Sequence, residues 1–200
     1  MADSSNYRQA FERIDDANSQ DPNVVFFDGK DQPAELIYSA RMTAWLARIE
    51  PAASEALRLA VRCQHLRRWE IPRSSYPMTR PGYHQWRTRL AQFHAEQAAS
   101  ILRSVGYDPA TVARVQSLIR KERFKTDAEA QMLEDVACLV FLELDYVDFA
   151  RRHEDQKVID ILRKTWRKMS DRGHVTAMEL AGTLPESQRR LIQRALSDAG

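Results

Sequence analysis

The sequence predicts an all-α fold, a compact single-domain helical bundle, on three observations. Apolar residues recur at spacings of three and four along most of the chain, as they do on one face of a helix. Helix punctuation separates those stretches: Gly106 reads as a C-terminal stop, and Asp108-Pro109 as an N-cap with a first-turn proline. The connections are short, which favours neighbouring helices packing together. The 200 residues suffice for one domain with a real core. That domain is placed over residues 1–200, with its main body at about 7–169 and short C-terminal helices within 174–196.

In order, Tyr7, Phe11, Ile14 and Ala17 form the first helical stripe, which Asp21-Pro22 breaks. Val24-Val25-Phe26-Phe27 before Asp28-Gly29 resembles a short strand and turn without a clear partner. It is read as an ordered loop that can carry a β-bridge, and more simply as a loop that pins its apolar residues onto the core. A helix follows from Ala34 to Ile49, and another from about Ala52 to Trp69, ended by Pro72. The proline-punctuated loop to Pro81 leads into a long helix from Gly82 to Val105. The Asp108-capped helix runs to about Arg123. Thr126 or Asp127 caps the next and most apolar one, in which Leu133–Leu144 is the expected buried centre. Val158 to Met169 is helical, Ser170–Gly173 a turn, and two short helices at Val175–Leu180 and Pro185–Leu196 finish the chain.

Composition bounds the function. Hydrophobic content of 44% and charged content of 29% are those of an ordinary soluble domain, and a net charge of +2 does not by itself argue for nucleic acid. Cys63 and Cys138 lie in apolar helical patterns and are expected as buried thiols. The N-terminus lacks the apolar core of a signal peptide, and the longest apolar run, Val136–Leu142, is too short to span a bilayer. A cytoplasmic protein with no membrane partner is the expectation.

The chemistry concentrates between Arg62 and Gln97. Seven arginines stand there (62, 67, 68, 73, 80, 87 and 89) against the acids Glu70 and Glu96, with His65, His84 and His94. Two helices flanking a Pro/Ser/Tyr loop can direct imidazoles and guanidiniums into one cleft suited to an anion. Arg87 and His94 are two turns apart and share a face. Arg68, Arg73, Arg80 and Arg87 can hold phosphate through forked contacts, with Arg41 beside them; taken one at a time, each arginine is more simply a solvated surface cation. Trp69 and Tyr76 can stack a base, though such aromatics more often anchor core or loop. Asp135 interrupts an apolar helix, and a buried carboxylate needs a partner; Arg41, His65 and His94 are the first candidates. Glu134, about 100° around that helix, is expected on the surface. Arg167-Lys168-Met169-Ser170 resembles the signature loop of class I aminoacyl-tRNA synthetases, but the α/β domain such enzymes need has no place in a helical pattern.

The phrases IYSARMTAWL, CQHLRRWEIPRSSYPMTRPGYHQWR, FHAEQAASILRSVGYD, LEDVACLVFLE and ILRKTWRKMS resemble the bacterial and fungal family catalogued as domain of unknown function 4202, across nearly the whole chain. The order of elements is also similar to the HD superfamily of helical metal-dependent phosphohydrolases. Tyr38 of Glu35-x-x-Tyr38-x-x-Arg41-Met42 stands where that superfamily has its first histidine, and Gln64-His65 stands near its His-Asp pair without the Asp. His94 matches an intermediate histidine, Glu122 of Ile119-Arg-Lys-Glu122 falls where another often lies, and Glu134-Asp135 resembles the final Asp phrase.

This second resemblance implies a phosphohydrolase acting on a nucleotide or another small phosphorylated compound. His65, His94 and Asp135 would be catalytic, and His65, His94, Glu122 and Asp135 would hold a divalent metal such as Mn, Mg, Fe or Zn. The retained His65, His94 and Asp135 favour that reading, while the replaced triad positions favour the alternative, a non-catalytic module that binds an anionic metabolite, RNA or a protein in the same cleft.

Overall fold

The computed structural model describes residues 4–124 and 126–197. The fold is all-α with one small hairpin. The described residues up to Phe124 form one compact unit, and those from Thr126 onward a second.

In the first unit, α1 (Ser4–Ser19) precedes a hairpin of β1 (Val24–Phe27) and β2 (Lys30–Pro33). Then come α2 (Ala34–Ile49), α3 (Glu55–Arg62), α4 (Arg80–Ser104) and α5 (Pro109–Ile119). Two short 3₁₀ turns, Arg68–Glu70 and Arg73–Ser75, lie between α3 and α4. Caps follow local chemistry. Ser54 accepts from the Leu57 N–H, Thr79 from that of Gly82, and Asp108 from those of Ala110 and Thr111. Met42, Leu46, Leu57, Leu59, Leu66, Leu102, Leu118 and Ile119 are among its buried core.

The loop expected at 24–27 is instead a strand, paired antiparallel with Val24 opposite Pro33 and Phe27 opposite Lys30. Asp28 and Gly29 both have positive φ, 52° and 79°, which suits a tight hairpin turn. The partner segment KDQP carries no strand pattern, because the ladder bonds are made by backbone. Nor does this segment bury its apolar side chains: Val24 is 62% and Phe26 75% exposed.

The helix expected to reach Trp69 ends at Arg62, although the residues beyond favour helix. The chain then turns, with Arg67 in the left-handed region (φ 55°) and its N–H bonded to Asn18 Oδ1. α5 likewise stops at Ile119, and Lys121 and Arg123 are left-handed at 55° and 57°.

The second unit contains α6 (Ala128–Val140), a π-helical turn at Phe141–Asp145, α7 (Tyr146–Arg151), α8 (Asp155–Trp166), α9 (Asp171–Ala181) and α10 (Glu186–Ser197). Asp127 is the N-cap of α6. Leu133, Asp135, Val136, Leu139 and Val140 are fully buried, as expected of the most apolar segment. Two expectations are corrected. Ser170–Gly173 is no free turn: Ser170 caps α9, and Gly173 lies inside it. Glu134 is buried, 7% exposed, because α6 is covered on that side too, and Lys168 Nζ reaches its carboxylate at 3.4 Å. Both cysteines are buried and free, and burial pushes the Cys63 thiol up to about 12. Among the described residues no helix is long and apolar enough to cross a membrane.

Candidate functional site

The early end of α3 creates the site. Once the chain leaves the helix after Arg62, carbonyls of residues 63–71 need partners, and α4 supplies two. His94 Nδ1 bonds the Leu66 carbonyl at 2.8 Å, and Trp86 Nε1 donates to that of Ile71 at 2.9 Å. Trp86, Leu90 and His94, four residues apart in turn, form the buried face of α4. The following loop is held by Arg73, which donates to the carbonyls of Tyr76 (2.9 Å) and Pro77 (2.7 Å).

A cleft of about 320 Å³ opens beside this turn, at the small end of the range for ligand pockets. Gln64 and His65 line it from the turn, Arg87 and His94 from α4, and Arg120 and Lys121 from the end of α5. Arg87 is exposed and, among the described residues, has no ion-pair partner. Arg120 bonds Glu122 at 2.7 Å. The left-handed Lys121 is a strained residue on the wall of a cleft, which is where strain is often functional.

Beside the cleft lies a half-buried cluster. The Tyr38 ring stacks on His65 with centroids 3.9 Å apart. His65 Nδ1 is 3.2 Å from Glu35 Oε2, yet the pair is not aligned as a hydrogen bond, and both atoms lack one. Glu35 is held from two sides: its N–H donates to Asp21 Oδ2, and Arg68 lies 3.9 Å from its other oxygen. Burial raises Glu35 to about 7 against the opposing charge of Arg68. Burial also lowers His94 to about 3, and it holds His65 well below its ordinary value with help from Arg68, Arg87 and Lys121. Both imidazoles are therefore neutral near pH 7. The Leu66 carbonyl can only accept, so His94 carries its proton on Nδ1 and presents a bare lone pair on Nε2.

These shifts have opposite consequences for stability. Unfolded His94 takes up a proton near 6.5, while folded His94 resists it down to about 3. The unfolded state therefore binds more protons in that window, and His94 weakens folding as pH falls through it. Folded Glu35 binds its proton below about 7, but unfolded Glu35 only below about 4.5, so its contribution falls as pH rises from 4.5 to 7. Between 4.5 and 6.5 the two cancel, leaving the slope of His65. Glu35→Gln removes the offset. Its stability should fall more steeply than wild type between pH 6.5 and 4.5, by about 1.4 kcal/mol per pH unit. Urea unfolding at several pH values measures both slopes; parallel slopes would refute the assignment.

The other expected site residues lie elsewhere. Arg68 sits over the Trp86 ring (5.3 Å), and Arg73 is committed to loop carbonyls. Arg80 is exposed at the start of α4, Trp69 and Tyr76 are half-buried, and none of these three is among the residues lining the cleft. The Arg41 guanidinium lies 6.0 Å from the Phe27 ring centroid. Asp135 is buried in the second unit, and its partners are not the arginine or histidines expected. Its carboxyl accepts from Gln131 Nε2 (3.0 Å), from the Ser170 N–H (2.8 Å) and from the Ser170 hydroxyl. That ties α6 to the cap of α9 and gives Ser170 of the synthetase-like phrase a structural role.

A resident divalent metal would need converging donors. Among the described residues no group of three or more His, Cys, Asp and Glu side chains is arranged to hold one. Glu122 is exposed against Arg120, and the Asp135 carboxyl is engaged by Ser170 and Gln131. The donors thus do not fit that group, and no chemical step is assigned to it.

Sequence reasoning missed Glu35, Gln64, Arg120 and Lys121 as site residues. The one available signal was the Glu35–Tyr38 spacing, which places both on one face of α2. A family model described as "Domain of unknown function (DUF4202)" matches residues 8–192. No curated protein and no solved structure matches.

Proposed function

The chain belongs to the DUF4202 family, whose description states no chemistry, and from the cleft itself we propose that it binds a small phosphate-bearing compound. The observation that carries this reading is the gathering of Arg87, Arg120 and Lys121 around a cleft whose inner wall holds neutral His65 and His94. Guanidinium forks match phosphate oxygens, and a lysine adds a point charge. Titration with inorganic phosphate and with ADP, followed by thermal shift and calorimetry, tests it. Arg87→Ala should weaken binding roughly tenfold, the effect of losing one charge-assisted bond. Raising salt should weaken it further, since exposed charges are screened. No binding of any phosphate compound would end the reading.

Hydrolysis is the second reading, favoured by Glu35. A carboxyl that titrates near neutrality, 3.2 Å from His65, is poised for proton transfer. Water would attack the terminal phosphorus, its P–O bond to the leaving group would break, and the leaving oxygen would take a proton from the Glu35–His65 pair. The proton lost by water would restore that pair. Phosphate release from ADP selects this reading. Binding without release leaves a binding module.

A further inference from the structure

Among the described residues, three that line the cleft carry a buried atom without a hydrogen-bond partner; His65 Nδ1 faces Glu35 Oε2 at 3.2 Å, and the other two are acceptors. These two are Gln64 Oε1 and His94 Nε2. Both residues line the cleft and are more than nine-tenths buried, at 7% and 3% exposure. An amide oxygen only accepts. His94 Nε2 also accepts, because its Nδ1 bears the proton toward the Leu66 carbonyl. Two buried acceptors without donors are costly to leave so, and they ask for a ligand that brings hydrogens. The rim asks for the opposite: Arg87, Arg120 and Lys121 are donors with positive charge.

Resting on the binding reading above, we propose that the ligand is a phosphorylated polyhydroxy compound, with its phosphate on Arg87, Arg120 and Lys121 and its hydroxyl hydrogens on Gln64 Oε1 and His94 Nε2. Hydroxyls suit these acceptors better than an ammonium group. Arg68, Arg87 and Lys121 already disfavour positive charge on His65, and an ammonium ion in the cleft would meet the same field. A bare phosphate would satisfy the rim and leave both acceptors orphaned. A site built to bond a hydroxyl discriminates strongly against an analogue that lacks it.

The test compares ribose 5-phosphate, glycerol 3-phosphate and methyl phosphate by calorimetry on the full chain. Methyl phosphate carries the charge without carbon-borne hydroxyls. Ribose 5-phosphate should bind at least tenfold more tightly than methyl phosphate, with glycerol 3-phosphate between them. Gln64→Met keeps the length of the side chain and removes the acceptor. It should reduce that preference several-fold, and a cooperative thermal unfolding transition near that of the wild type shows that the variant is folded. Equal binding of ribose 5-phosphate and methyl phosphate would overturn the proposal and spare the phosphate reading, with water then serving the two acceptors. Failure of all three, and of inorganic phosphate and ADP, to bind would overturn both. The wild-type comparison decides the matter even if Gln64→Met does not fold.

Discussion

Replacing Asp135 with alanine should destabilise the protein by roughly 2–4 kcal/mol, the range for breaking a buried network of polar bonds. The side chain is wholly buried and accepts from Gln131, from the Ser170 N–H and from the Ser170 hydroxyl. Alanine would strand those donors and open a cavity between α6 and α9. The contact is close: a Cβ on Gly173 would lie 2.8 Å from Asp135 Cγ, so the α9 backbone passes directly over the carboxyl. Asp135→Asn keeps the shape and should cost less, because one oxygen still accepts while the new amide faces donors. A melting temperature lowered by about 5–15 °C in the alanine variant is the expected reading. A change within a degree of wild type would show that the network contributes nothing. Cleft binding in the alanine variant, measured below its melting point, separates this structural role from the catalytic one expected of Asp135.

Gly82→Ala sets two effects of opposite sign against each other. Gly82 lies in the first turn of α4, where helix propensity alone would make alanine better by up to about 1 kcal/mol. A Cβ there would sit 2.2 Å from the Pro77 carbonyl oxygen and 3.0 Å from its carbon, both backbone atoms. The loop cannot yield freely, since Arg73 grips the carbonyls of Tyr76 and Pro77 and Thr79 caps the helix. Overpacking of this kind costs about 1–3 kcal/mol, so the steric effect should win and the variant should lose stability. The phosphate affinity proposed for the cleft should fall alongside, because Arg87 stands little more than one turn further along α4. A Gly82→Ala protein more stable than wild type would mean that the loop moves aside at no cost.

The distribution of what could be foreseen follows from the range of the forces involved. Hydrophobic spacing and capping act within a few residues, so the all-α class, the Asp108 cap, a cap at Thr126 or Asp127 and the buried thiols of Cys63 and Cys138 were legible in the sequence. So was the burial of Asp135; His65, His94 and Arg87 line one cleft, but Arg68, Arg73 and Arg80, expected with them, do not. Three features were decided only by tertiary structure. The hairpin at 24–33 pairs backbone, which a side-chain pattern does not report. The end of α3 is set by Asn18 and His94, which reach the turn across 49 and 28 residues and override helix propensity. Glu35, Arg120 and Lys121 are ordinary surface types in the sequence. Packing alone buries Glu35 behind His65, raises it to about 7 and brings the end of α5 to the cleft. Desolvation and convergence depend on which distant segments close around a group, and no local pattern carries that information.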